Sequence, residues 1–197
     1  MNVSLILKPF FVSVFIVVLS FYSLALVSKA EEKTKNEKQE AAMKKWQEYA
    51  TPGDDHKLLE PFIGSWDYTV RWWMSTDAKP EESKGTSEVK WIMGGRFLEI
   101  TAQGTSRGQQ FIGMGITGYD NAEKQYKSVW IDNMGTGMMV ANGNYDSSTK
   151  SFVETGNFTD PVMGEKSYRG VTKIINDDKY TYELYTTGPN GKEFRTL

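Results

Sequence analysis

From Ser65 to Leu197 the chain is a succession of ten short runs rich in aromatic and β-branched residues, each closed by Gly, Asn, Asp or Pro, with no helix-sized segment between them. The runs are 66–74, 86–93, 97–103, 111–118, 125–133, 138–145, 151–160, 167–175, 179–187 and 193–197. Each has the length and composition of a β-strand. Gly94-Gly95, residues 120–124, residues 146–150, Asn176-Asp177-Asp178 and Pro189-Asn190-Gly191 supply the residues that tight turns require. Consecutive strands joined this tightly run antiparallel. A meander of this length hides its edges most readily by closing, so the spacing predicts an all-β fold, a single antiparallel up-and-down barrel of about ten strands. A barrel that wide leaves an interior that side chains need not fill.

Period-two alternation assigns faces. In the first run Trp66, Tyr68, Val70 and Trp72 share one side, opposite Asp67, Thr69, Arg71 and Trp73. Val89, Trp91 and Met93 line one side of the second. In the run 125–133, Tyr126, Ser128, Trp130 and Asp132 fall together, but Val129 and Ile131 opposite them are the more plainly apolar set, and the alternation leaves the choice open.

Ahead of the strands lies an appendage. Residues 1–30 hold Lys8, an almost wholly apolar run from Phe10 to Leu26 and then Ser28-Lys29-Ala30, the order of a secretory signal peptide. The small residues Ser23, Ser28 and Ala30 favour cleavage; the alternative is an uncleaved signal anchor, since Phe10 to Val27 approaches the roughly 20 residues that span a bilayer. Residues 31–52 read as a helical linker, with Ala42, Trp46 and Tyr49 at helical spacing and Pro52 ending it. The barrel domain then runs from 53 to 197, with about two turns of helix expected over His56–Phe62. Removal of residues 1–30 takes away two lysines and no acids, leaving 21 basic against 25 acidic residues. Such a weakly acidic domain is no nucleic-acid binder, and its membrane contact is confined to residues 1–30 if they stay attached. The chain has no cysteine, so an exported domain stands on its core alone. A bacterial envelope or periplasmic location is expected.

Catalytic constellations are scarce. One His and no Cys cannot make a zinc site, and there is no Gly-x-Ser-x-Gly elbow or second His for a base relay. His56 reads as a surface residue or cap. Met134, Met138 and Met139 are read as gap-fillers before copper ligands, and Asp120-Asn121 and Asn176-Asp177-Asp178 as turn residues before calcium ligands. Glu99 and Asp132 could serve as acid and base if both faced a cavity; otherwise Asp132 closes a strand or pairs with Arg96. No metal and no cofactor is expected. The aromatic content is more telling. Trp66, Trp91 and Trp130 lie on separate strands and suit the walls of a cavity, with Arg96 and Asp132 as polar anchors.

Two motifs carry a resemblance. Gly64-Ser65-Trp66, after a short helix and opening the first strand, resembles the Gly-x-Trp signature of the calycin superfamily of lipocalins and fatty-acid-binding proteins. Trp91-Ile92-Met93-Gly94-Gly95-Arg96-Phe97-Leu98, Gly118-Tyr119-Asp120-Asn121 and Trp130-Ile131-Asp132 resemble the DUF1579 family of bacterial proteins over about residues 53–197. The resemblance implies a calycin-like barrel and brings no assigned activity. Calycins often stack a late-strand basic residue on the Gly-x-Trp indole, a place Arg195 would take. Family members usually extend the last strand past the segment matching 193–197, so either that strand is abbreviated here or the chain is a fragment. The haem-binding His of nitrobindin-type barrels has no counterpart.

The expectation is therefore an exported, non-enzymatic barrel that binds a small apolar or amphipathic ligand. Two alternatives stand beside it: a structural or interaction protein of the envelope, homodimeric through an exposed edge near Trp72 and Trp73, and an enzyme using cavity carboxylates.

Overall fold

The computed structural model describes residues 10–75, 78–188 and 191–197, with side chains at Lys29 and from Glu31 onward. The expected leader, with its apolar run and cleavage residues, lies outside the described side chains, as do residues 189 and 190 of the last expected turn. The chain forms two compact units, Met1–Glu48 and Tyr49–Leu197. The first is helix α1 (Phe10–Ala50) up to the boundary, laced by the exposed pairs Lys33–Glu37 and Lys44–Glu48. Among the described residues no helix is long and apolar enough to cross a membrane.

The second unit is all β apart from its entry. Its strands are β1 (Gly64–Trp72), β2 (Glu81–Ile92), β3 (Phe97–Ser106), β4 (Gln109–Asp120), β5 (Gln125–Asp132), β6 (Met139–Asp146), β7 (Ser151–Asp160), β8 (Gly164–Asn176), β9 (Lys179–Thr187) and β10 (Glu193–Arg195). Each pairs antiparallel with its neighbour in sequence, so the sheet order is the chain order. The sheet curls until Trp66 of β1 lies edge-on to Tyr180 of β9, ring centroids 4.8 Å apart. No ladder joins β1 to β10. A backbone bond from Trp73 N–H to the Thr196 carbonyl, 3.0 Å, links their ends. The result is a half-barrel, to which β10 adds three paired residues.

The turns follow the local chemistry. Between β2 and β3 the chain passes through Met93, Gly94 and Gly95 at φ 50°, 67° and 81°, a left-handed stretch that glycine enters without steric cost. Three later connections share one design. Asp120, Asp146 and Asp160 each accept, through a side-chain oxygen, the backbone N–H two residues on. The turns close on Lys124, Lys150 and Gly164, all at positive φ.

A plug closes part of the inner face. Helix α2 (Asp54–Lys57) and a 3-10 turn (Glu60–Phe62), split by Pro61 rather than forming one helix, drive Leu59 and Phe62 into the sheet. These join Val89, Leu98 and Tyr126 in the core, with Trp66, Trp91, Ile100, Tyr119, Tyr145, Phe152 and Tyr180 packed around them. Phe62 meets Phe152 and Tyr180 edge-on, at 5.5 and 5.1 Å. Each such side chain contributes about 1.5–3 kcal/mol on burial. Tyr126 Oη donates to the Asp55 carbonyl at 2.8 Å and Trp66 Nε1 to the Phe62 carbonyl at 2.8 Å, so the plug is bonded in as well as packed.

Candidate functional site

The inner face divides into a half packed on the plug and a half beyond it, where Ala141, Tyr168 and Leu184 form a second cluster, and the sequence-predicted residues divide with it. Trp66 and Trp91 belong to the core around the plug. Trp130 and Asp132 stand on β5 away from it: Trp130 lies over Gly113 and Gly115 of β4, where a Cβ on Gly113 would come within 2.3 Å of its ring. Phe111 stacks on Trp130 with centroids 6.5 Å apart, and Trp130 Nε1 donates to Asp132 Oδ2 at 2.9 Å. Asp132 also accepts the Met134 N–H at 2.9 Å and so closes β5. It does not pair with Arg96. The Arg96 guanidinium donates to the Ala50 and Met93 carbonyls, at 2.7 and 3.1 Å, and Asn121 donates to the carbonyls of Tyr49 and Thr51. Two of the motif residues therefore clamp the lead-in segment 49–51 to the sheet.

Several other expectations change. Glu99 points to the opposite face of β3 and pairs with Lys90 at 2.8 Å, because Lys90 and Glu99 are register partners. An acid–base pair of Glu99 with Asp132 is not assembled. His56 is a cap, as one of its two readings had it, but it is buried: Nδ1 accepts the Gly53 N–H. Arg195 stacks on Trp73 at 4.4 Å, not on the Trp66 indole, which Tyr180 covers. On β1 the predicted alternation holds through Val70, and Trp72 is exposed. Met93, assigned to the inner face of β2, is 70 % exposed because it enters the left-handed turn. The face of β5 left open by sequence is the one with Tyr126, Ser128, Trp130 and Asp132 inward: Tyr126 is buried in the core, and Trp130 and Asp132 stand opposite Gly115 and Gly113 of β4.

The half beyond the plug carries a polar centre that sequence reasoning missed. Glu154 of β7 faces inward, half-buried, between Phe152 and Phe158 on the same side of the strand. Its register partners are Gly143 on β6 and Gly170 on β8. A Cβ on Gly170 would stand 2.7 Å from Glu154 Oε1 and 2.9 Å from the Tyr182 hydroxyl. The two glycines thus leave room for the carboxylate to reach along the sheet. Ser128 Oγ donates to Oε2 at 2.8 Å and Tyr182 Oη to Oε1 at 3.2 Å, a bridge from β5 to β9. Tyr168, Leu184, Ala141, Met139 and Phe158 form the apolar cluster beside it. Burial, with the nearby carboxylate adding to it, pushes the Tyr168 hydroxyl up to about 12, and the Tyr182 hydroxyl is raised for the same reasons. Both phenols stay neutral donors at ordinary pH. The alternation Phe-x-Glu-x-Gly-x-Phe over Phe152–Phe158 was the available signal.

The other face carries the ion pairs. Arg71–Glu82, Lys90–Glu99, Lys127–Glu123, Arg169–Glu193 and Arg195–Glu183 lie along it. Across β6–β10 it holds an open groove of about 700 Å³, whose lining includes Asn142, Asn157, Arg169, Tyr185 and Glu193. Arg169 is already engaged there, bonded to Glu193 at 2.6 Å and stacked on Tyr185 at 4.2 Å. Among the described residues no three His, Asp or Glu side chains group as a metal shell. Met139 packs inward, while Met134 and Met138 are exposed in the connection before β6.

No curated protein matches the sequence. One family model does, "Protein of unknown function (DUF1579)", over residues 51–197, a span that takes in the plug and all ten strands. The chain belongs to the DUF1579 family.

Proposed function

We propose that this protein binds a small amphipathic molecule, without catalysing a reaction, on the half of its inner face beyond the plug. Trp130, Phe158 and Tyr168 form the apolar wall, and Glu154 and Asp132 are the polar anchors. One observation carries the reading: past the plug, the inner face keeps half-buried aromatic rings beside hydrogen-bonding carboxylates. A face meant only for packing gains nothing from a carboxylate between two phenylalanines. The residues named from sequence as walls and anchors are thereby revised, with Trp66, Trp91 and Arg96 assigned to the plug and its clamp. Action after export to the envelope is part of the proposal and rests on the composition of residues 1–30.

Titration of the protein with decanol, followed by tryptophan fluorescence, tests this. A saturable change that Trp130→Phe removes is expected; no saturable change refutes it. A second reading, a homotypic interaction protein, is favoured by one observation. Ile112, Met114, Ile131 and Val140 are exposed on the other face of β4–β6, with Met114 and Ile131 cross-strand partners. Light scattering at high concentration decides it, a strict monomer counting against that reading.

A further inference from the structure

Building on the reading of the inner face as a ligand site, we infer that the ligand's polar end is a cation, an amine or quaternary ammonium group seated against Glu154 and the rings of Tyr168 and Tyr182. The charge balance of the fold is the reason. The carboxylates of Glu82, Glu99, Glu123, Glu183 and Glu193 each face a Lys or Arg within ion-pair distance. Among the described residues Glu154 has no such partner, and its two hydrogen bonds come from the neutral hydroxyls of Ser128 and Tyr182. Lys166, the cation that shares the inner face of β8, stands opposite Phe158, four residues along the strand from Gly170, the register partner of Glu154. A half-buried carboxylate among aromatic rings is costly unless a positive group joins it.

The surroundings suit an organic cation better than a metal ion. Glu154 is a single carboxylate, and a hard cation needs several oxygens converging on it. The neighbours are instead the rings of Tyr168 and Tyr182, and aromatic rings attract alkylammonium groups. Glu154 itself fills the space over Gly170, and its side chain is only partly buried, so a headgroup would meet the carboxylate from the inner face. An apolar tail then runs along Met139 and Trp130, which are opposed in register.

Calorimetric titration of the protein recovered from cells expressing the full chain tests this with three probes of one tail length, decyltrimethylammonium, decanol and decyl sulfate, below their micellar concentrations. The ammonium is expected to bind at least ~10-fold tighter than the alcohol, the scale of one charge-assisted contact, and the sulfate weakest. Glu154→Gln is expected to bring the ammonium-to-alcohol ratio near one, and Glu154→Asp to keep a preference. A ratio near one in the unmodified protein overturns the inference whatever the variants do, and so does a preference that survives Glu154→Gln. If the alcohol binds and the ratio is near one, only the cation assignment fails; if none of the three binds, the inner-face reading fails with it.

Discussion

His56 is the only histidine of the chain, and its surroundings make stability on the acid side a direct readout of the plug. The ring is 5 % exposed, Nδ1 accepts the Gly53 N–H at 3.1 Å, and Tyr119 lies edge-on at 5.8 Å. Burial holds its pKa below the ordinary 6.5; the charge of Arg96 pushes the same way, while Asp55 and the Tyr119 backbone oppose. The unfolded chain therefore takes up a proton at higher pH than the folded one. Stability is complete above about pH 6.5 and falls as the pH drops below it, by at most about 1.4 kcal/mol per unit for one proton. Protonating Nδ1 in place turns an acceptor into a donor facing the Gly53 N–H, a loss of about 1–3 kcal/mol. Against a total of about 5–15 kcal/mol this is readily measured by urea unfolding between pH 8 and 5. The carboxylates with resolved shifts, such as Asp120, Asp146 and Asp160, are held below their ordinary values and act at lower pH. His56→Asn is expected to flatten the profile. Stability that is level or rises from pH 7.5 to 5.5, or a decline that persists in the variant, refutes the reasoning.

Two further outcomes follow from the same core. Phe62→Ala removes two edge-to-face contacts and the side chain that seats the plug, and is expected to cost about 3–5 kcal/mol in denaturant unfolding; a loss under about 1 kcal/mol means that the plug is not part of the core. On the alkaline side Tyr126, Tyr168 and Tyr182 keep their protons longer folded than unfolded, so stability is full below about pH 10 and declines above it, through about 12 for Tyr168. Unfolding monitored by circular dichroism across pH 9–12 checks this, and undiminished stability at pH 12 contradicts it.

The ten strands were legible because each turn carries residues chosen for backbone geometry, a strictly local signal. Face assignment was legible where one side of a strand was clearly aromatic, as in Trp66-Tyr68-Val70, and failed at Met93, where a left-handed turn overrides alternation. The β5 face stayed open in sequence because its decisive partners are Gly113 and Gly115 on another strand, whose missing side chains make room for Trp130. Arg96 was read as a cavity anchor because the motif's position on a turn does not reveal its backbone partner at Ala50, 46 residues earlier. Glu154 escaped because its meaning depends on Gly143 and Gly170, glycines that in sequence look like ordinary strand breaks. His56 read alike as surface residue or cap; its burial depends on Tyr119, a long-range contact.

A crystal structure of the protein with decyltrimethylammonium puts the central claim to the most direct test, because two faces compete for the ligand. The account predicts the headgroup against Glu154 and the tail along Trp130 on the inner face. A ligand lodged instead in the groove of Asn142, Asn157, Arg169 and Glu193 on the other face, or an inner face left empty at saturating concentration, would contradict it.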